Sequence, residues 1–304
     1  EKRLWYRRTF EVPESWKGRR VLLHFGAVDW EAKVWVNGKS AGNHRGGYDP
    51  FSFDVTGLLT PAGGSQRLEV SAWDPSDEGP QPRGKQVSKP RGIWYTPVTG
   101  IWQTVWLEAV PLTSIEALHI LPDVDGKKLK VKAATLGPDK VKVKVSVPSL
   151  GIEGEGAPGD TIELALKNFE LWSPAHPKLY DLEVELLSGA KTVDRVESYF
   201  GMRKISLGPD QNGIPRILLN GEPLFQFGPL DQGWWPDGLY TAPSDEALRY
   251  DLEVTKKLGF NMVRKHVKVE PLRWYYHCDR MGLLVWQDMP NGGVNARWPL
   301  DGTE

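Results

Sequence analysis

Apolar and polar residues alternate with a period of two through long stretches of the first 200 positions, and a helical period takes over only after residue 243. The clearest case is 140–147, where lysine and valine alternate, so that one strand face is wet and the other buried. Before it, the segments 4–10, 21–25, 32–36, 51–55, 68–72 and 103–109 are short, aromatic or β-branched, and separated by turn residues. Asn37-Gly38 sits between Val34-Trp35-Val36 and Lys39-Ser40-Ala41, a type I′ hairpin signal. Strands this short and this closely spaced predict a β-sandwich or jelly roll over 1–110. A second all-β region, 111–203, contains the lysine/valine strand together with 180–187 and 195–199, and fits an immunoglobulin-like sandwich without the cysteine pair of antibody domains.

From 204 onward the order of signals changes. Asn220-Gly221 predicts a second hairpin, joining Ile217-Leu218-Leu219 to Pro223-Leu224-Phe225. Phe225-Gln226-Phe227-Gly228 reads as a short buried strand, followed by a Pro/Gly/Trp-rich loop over 229–243. A helix is predicted next, with Ser244 as N-cap, Asp245 and Glu246 in its first turn, and Ala247, Leu248, Leu252, Thr255 and Leu258 on one face. Gly259 stops it, 260–267 reads as a strand, 271–281 as a helix ended by Gly282, and 283–288 as a third strand. Strands alternating with helices imply a parallel sheet. A (β/α)8 barrel takes roughly 250 residues, so 204–304 holds the start of one, about three of eight strands. The expectation is a multidomain β plus α/β chain whose barrel would close with residues beyond 304. An open apolar sheet edge there would favour aggregation of the isolated segment.

Charge and composition remove several function classes. The net charge is -1, and the longest basic cluster, 127–132, alternates with apolar residues as an exposed strand face does, so no nucleic-acid or membrane partner is predicted. No run reaches the ~18 apolar residues of a membrane span. The single cysteine, Cys278, excludes an internal disulfide framework and falls within a predicted amphipathic helix, where it reads as a small core residue. The first residue is Glu1 rather than methionine, so a signal segment could have been removed and its absence is uninformative; the compartment stays open, with a periplasmic or extracellular location favoured. The stretch 74–100 is long, irregular and rich in Pro, Gly, Lys and Trp, a length that compact domains keep for a purpose.

Eight short motifs in a fixed order make the chain resemble glycoside hydrolase family 2, the family of β-galactosidases, β-glucuronidases and β-mannosidases. They are Leu4-Trp5-Tyr6-Arg7-Arg8-Thr9-Phe10, Val34-Trp35-Val36-Asn37-Gly38, Gly46-Gly47-Tyr48, Gly100-Ile101-Trp102-Gln103, Leu171-Trp172-Ser173-Pro174 with Leu179-Tyr180, Phe200-Gly201-Met202-Arg203, Leu258-Gly259-Phe260-Asn261-Met262-Val263-Arg264, and Cys278-Asp279 with Gly282-Leu283. The resemblance implies a jelly-roll sugar-binding domain, an immunoglobulin-like domain and a catalytic barrel. It also implies retaining hydrolysis of a terminal β-glycosidic bond by two glutamates whose carboxyls lie about 5 Å apart. In the family the acid/base follows an asparagine on the fourth barrel strand and the nucleophile lies on the seventh. No Asn-Glu dipeptide occurs here, so no catalytic residue is assigned in this chain and the segment alone is expected to be inactive. Some members bind metal in the loop of the first domain, but no aspartate stands beside Ile93-Trp94-Tyr95, and neither metal nor cofactor is predicted.

Barrel sites gather where strands end, which nominates a supporting set for a β-linked oligosaccharide or glycoside: Asp231, Trp234 and Trp235 after the first strand, Arg264 and His266 near the end of the second, Trp286 and Asp288 at the end of the third. Arg264 would either hold a catalytic glutamate ionised or staple the core, and Asp288 would either accept sugar hydroxyls or pair with Arg264. Where many relatives carry a histidine or acid that touches the sugar, the loop here reads Gly-Pro-Leu-Asp231-Gln-Gly-Trp-Trp. Among 14 tryptophans, Trp5, Trp35, Trp102 and Trp106 lie in strands and read as core, whereas Trp94, Trp234, Trp235 and Trp298 lie in Gly/Pro-rich loops suited to a sugar cleft. Gln86, Trp94 and Tyr95 are the loop residues placed to reach that cleft. Val285-Trp286-Gln287-Asp288 looks like the β-mannosidase branch, and the Arg264 strand like the other two, so the sugar stays open, as does a homo-oligomer. The competing readings are a non-catalytic carbohydrate-binding protein and a structural adhesion module.

Overall fold

The computed structural model describes residues 3–60 and 64–291. The first unit is built from β1 (Leu4–Glu11), β2 (Arg20–Phe25), β3 (Val28–Asp29), β4 (Glu31–Val36), β5 (Lys39–Arg45), β6 (Phe51–Asp54), β7 (Ser65–Trp73), β8 (Gly100–Ile101) and β9 (Val105–Val110). Its main sheets run β1-β7-β4-β5 and β6-β2-β9, all antiparallel, with β3 and β8 forming a short pair. Between the sheets, Val21, Leu23, Phe25, Val34, Val36 and Val70 are buried, the residues that a period of two places on one side. Asn37 and Gly38 both have positive φ, +53° and +76°, which is the type I′ turn expected from the dipeptide. Trp5, Trp35 and Trp106 depart from expectation. They lie in strands but on the outward-facing positions, Trp5 and Trp106 at 64% and 43% exposed and Trp35 half-buried against Trp5, because Tyr6 and Phe10 take the inner face of β1, Val34 and Val36 that of β4, and Val105 and Leu107 that of β9.

The second unit contains β10 (Ser114–Asp123), β11 (Lys128–Leu136), β12 (Lys142–Val147), β13 (Ile152–Gly156), β14 (Thr161–Ala165), β15 (Tyr180–Ser188) and β16 (Lys191–Phe200). Sheets β10-β11-β14 and β13-β12-β15-β16 close over a core of Leu129, Val131, Val143, Val145, Val147, Leu182, Val184 and Leu186, an immunoglobulin-like arrangement. The lysines that alternate with this core face solvent and pair with carboxylates, Lys128 with Glu163 at 2.8 Å and Lys144 with Glu153 at 2.7 Å. Pairs this exposed contribute about 0–1 kcal/mol each, so the buried valines carry the stability.

A small antiparallel sheet, β17 (Ile205–Pro209), β18 (Pro215–Leu219) and β19 (Glu222–Pro223), turns at Asn220-Gly221, whose φ values are +55° and +88°. Beyond it comes a parallel sheet of β20 (Leu230–Asp231), β21 (Met262–Lys265) and β22 (Leu284–Gln287), carrying α1 (Asp245–Lys257) and α2 (Leu272–Met281). The Ser244 Oγ accepts from Ala247 N at 3.2 Å as the N-cap of α1, and Leu248, Leu252 and Thr255 are buried as the helical spacing requires. With Val263, Trp274, Cys278 and Leu283, the two leucines form the core between sheet and helices, and burial pushes the Cys278 thiol up, so it is an inert packing group. Leu258 is 67% exposed rather than core, since it caps the helix beyond its last buried turn.

The predicted buried strand over 225–228 is corrected. The segment does run beside the next strand, with Asn261 N donating to Phe227 O at 3.0 Å and Arg264 N to Pro229 O at 3.0 Å. Its paired residues, however, are Leu230 and Asp231, and Phe225 and Phe227 are exposed. It lies at the edge of the described sheet, where the two rings stack on each other and Phe227 also meets Phe260.

Several of the short motifs turn out to join the units. Trp172 is fully buried, donates from Nε1 to Asp279 O at 2.8 Å and lies under the Arg203 guanidinium, while Asp279 accepts from Arg203 at 2.6 Å and Tyr199 at 3.1 Å. Trp102 donates to Gly47 O at 2.7 Å and packs on Tyr48 and Tyr240, whose hydroxyls meet at 3.1 Å. In the same interior, Gln86 Nε2 donates to Asp29 Oδ2 at 3.1 Å. Burial, then repulsion from Asp74, pushes the Asp29 carboxyl well above the usual range, and burial raises Asp74 too. In the unfolded chain these groups ionise near pH ~4, whereas the folded protein keeps their protons to higher pH, so stability falls as the pH rises from ~4 until the folded pair ionises. Asp29→Asn, isosteric with the protonated acid, is therefore expected to raise Tm at pH 8, with the gap to wild type closing toward pH 4. Parallel Tm curves over that range would contradict the assignment.

Candidate functional site

Arg264, near the end of β21, lies directly across from Trp286 on β22, and one residue beyond β22 comes Asp288. Asp288 accepts from Arg264 Nε at 3.1 Å on Oδ1 and 3.0 Å on Oδ2, and from His266 Nδ1 at 2.6 Å. Burial would raise this carboxyl, but the hydrogen bonds from Arg264 and His266 hold it below the usual range, so it is ionised at neutral pH. An ionised acceptor on Nδ1 requires a proton there, so Nε2 is the ring nitrogen left to meet a ligand. Trp286, half-exposed, donates from Nε1 to Gln226. Of the two alternatives for Asp288, pairing with Arg264 is the one present.

The expected single shell divides in two. The parallel register sets Leu230 opposite Arg264 and Asp231 opposite Lys265, so Asp231 lies on the other face and does not join the Arg264 cluster. Instead, Asp231 takes a hydrogen bond from Lys265 Nζ at 2.6 Å, and Glu270 lies 2.9 Å from both Lys265 and Lys268. These lysines are 1% and 0% exposed in their side chains and Glu270 is 2%. Lys268 also donates to Gly233 O at 2.7 Å and Tyr240 O at 2.9 Å, and its ammonium lies over the rings of Trp102 and Tyr240. Burial opposes the charge on Lys265, yet Glu270 and Asp231 together hold its pKa above the ordinary value. For Lys268 burial wins and the pKa is lowered. Sequence reasoning missed Lys265, Lys268 and Glu270. The available signal was a lysine at an apolar position of a buried strand, with a second lysine and a glutamate within five residues.

Beside this network a cleft of about 560 Å³ opens between the loop after β20 and α1, lined among others by Asp231, Trp234, Trp235, Tyr95 and Asp251. The long loop of the first unit does reach this region, with Tyr95 stacked on Trp234 at 4.5 Å. Trp234 is covered by Tyr240 on another side, centroid to centroid 4.4 Å, so it is a packed ring rather than the open platform expected. Trp94 lies beneath Arg83 and Lys85, and Trp235 packs against the helical core. Gln86 is also corrected: it is buried, donates to Asp29 and accepts from Val98 N, and so braces the loop from inside instead of touching a ligand. Trp298 lies outside the described residues.

Comparison with known proteins adds an independent line. Residues 1–110 match the sugar binding domain of glycosyl hydrolases family 2, and residues 113–203 match a second domain of the same family. A β-galactosidase of Thermoanaerobacter pseudethanolicus is 28% identical over 301 residues, covering 94% of this chain and 39% of that protein. A β-glucuronidase of Paenibacillus borealis is 30% identical over 236 residues, 72% of this chain and 38% of that protein. Among solved structures, a β-glycosidase from Bacteroides vulgatus superposes with a TM-score of 0.75 at 28% identity, over 92% of this chain and 36% of that one. The apo β-glucuronidase of Ruminococcus gnavus, at 22% identity and a TM-score of 0.79 over 97% of this chain, shares the fold. The chain thus spans well under half the length of these two curated relatives. With two domain models of one family matched in order, and relatives aligned over nearly its whole length, the chain belongs to glycosyl hydrolase family 2.

Proposed function

We propose that this chain supplies the sugar-binding sandwich, the immunoglobulin-like sandwich and the first three strands of a (β/α)8 barrel to a retaining β-glycosidase, with the acid/base and nucleophile glutamates contributed by residues after 304. The observation that carries this reading is the Arg264–Asp288–His266 cluster, placed where parallel strands run out, in a chain of this family. In a retaining reaction one glutamate attacks the anomeric carbon while the other protonates the leaving oxygen, and water then hydrolyses the glycosyl-enzyme. The share of this chain is positioning. Asp288, ionised and held by Arg264, fixes the His266 ring so that its Nε2 can hydrogen-bond a sugar hydroxyl, and Trp286 lies on the Arg264 face beside it. The substrate class is a β-linked glycoside, and the names of the relatives make galactosides and glucuronides the first to try.

The complete gene product is expected to hydrolyse an aryl β-galactoside or β-glucuronide, and proton NMR is expected to show the β-anomer as first product. Residues 1–304 alone are expected to give no turnover above the uncatalysed rate. Sugar binding without turnover by the complete product, or an α-anomer as first product, would overturn the proposal.

A further inference from the structure

The outer face of sheet β1-β7-β4-β5 carries a second arrangement that the proposed reaction does not use. Trp5 and Trp35 stack across it, ring centroids 5.5 Å apart at 24°, and Trp5 is the most exposed tryptophan among the described residues at 64%. The strand register places them in adjacent rows. One row is Arg7, Glu69 and Trp35, and the next is Trp5, Ser71 and Lys33. Ser71, 1% exposed, lies between Trp5 and Lys33 in its row, so the side chains around it roof the centre of the face and the outer side of Trp5 stays open.

Around the two indoles the charges are fixed by ion pairs. Arg7 lies 2.9 Å and Arg67 3.3 Å from Glu69, and Arg3, Arg45 and Lys33 lie 2.8, 3.1 and 3.9 Å from Glu31. With Glu11 at the far end of β1, five cations meet three carboxylates, so this face is positive on a chain whose formal net charge is -1. An open indole takes the C–H face of a pyranose ring, and guanidinium groups held in place present paired donors that match a carboxylate. A nonpolar partner protein would leave the net positive charge of the face unanswered, and a neutral glycan would use only the indole.

We propose that this face is an accessory binding surface for an acidic, β-linked polysaccharide, with Trp5 as the stacking platform and Arg7 and Arg67 as its uronate contacts. It lies outside the site proposed for hydrolysis, so each stands or falls separately. The test is isothermal titration of the complete gene product with a β-1,4-linked hexaglucuronate and, in parallel, with cellohexaose. Trp5→Ala is expected to weaken hexaglucuronate binding about tenfold, from the loss of one stacked ring. Arg7→Glu is expected to weaken it at least as much, and to remove most of its salt dependence. Both variants should keep the wild-type rate on a small aryl glycoside and a cooperative melt, with Tm lowered only slightly, since each loses one surface contact, Trp5 its stack on Trp35 and Arg7 its pair with Glu69. Unchanged affinity in both variants overturns the proposal. So does equal affinity for cellohexaose, or sedimentation showing a dimer that Trp5→Ala dissociates. Binding that depends on Trp5 in a product with no hydrolytic activity supports this surface and removes the proposed function instead.

Discussion

Asp288→Ala in the complete gene product is expected to lower kcat/KM about a hundredfold while barely moving Tm. The size follows from what the carboxylate holds. It is the shared acceptor of Arg264 and His266, and outer partners that orient a working ring or guanidinium are worth roughly 10–100-fold when removed. The small effect on Tm follows from exposure: Arg264 keeps 48% of its side chain in water, and pairs in that setting contribute at most about 1 kcal/mol. A purely structural role would move the two quantities together, which makes the pair of measurements decisive. Asp288→Asn, which keeps the shape and loses the charge, should fall between wild type and alanine. Because the carboxyl is held below the usual range, the part of activity that depends on its charge should persist down to about pH 4, where an ordinary aspartate is already close to half protonated. Steady-state kinetics from pH 4 to 8, with thermal melts of the same samples, check all three statements.

The largest stability loss is expected from Glu270→Ala, about 3–5 kcal/mol, because it leaves two buried ammonium groups without their common partner. Lys265 would retain Asp231 and lie over the Trp274 ring at 4.4 Å, but Lys268 would keep only carbonyl oxygens and ring faces. Lys268 already has its pKa lowered by burial, and without Glu270 it should lose its proton more readily, so part of the loss should be recovered at high pH. As a control, Asp125→Ala, which breaks the exposed pair with Lys204, should cost no more than about 1 kcal/mol. Urea unfolding of both variants at pH 7 and of Glu270→Ala at pH 9 checks this. A loss below about 1 kcal/mol for Glu270→Ala would mean that the network is solvated in solution.

The strands were legible in the sequence because their alternation is enforced by burial on one face, as Val143, Val145 and Val147 show, and the turns because Asn37-Gly38 and Asn220-Gly221 supply the positive φ that type I′ requires. The caps of α1 were legible for the same local reason. What sequence periodicity does not carry is which neighbour lies across a parallel ladder. A shift of the first paired strand from 225–228 to Leu230–Asp231 was enough to move Asp231 to the Lys265 face and expose Phe225 and Phe227. Nor does it reveal contacts between units. Trp102 and Trp172 look like ordinary strand or turn tryptophans, and their partners, Tyr240 and Asp279, are more than 100 residues away. That Arg264, His266, Asp288 and Trp286 lie near one another was legible because they sit at or near the ends of neighbouring parallel strands. Lys265 and Glu270 were missed because buried charges are recognised only once their partners are known.

The most direct test of the account is a crystal structure of the complete gene product trapped as its covalent 2-deoxy-2-fluoroglycosyl intermediate. The account predicts a sugar seated at the ends of β21 and β22, with a hydroxyl within about 3 Å of His266 Nε2 or Asp288 Oδ1. A sugar bound elsewhere, with the Arg264–Asp288–His266 cluster facing solvent or packed protein, would contradict it.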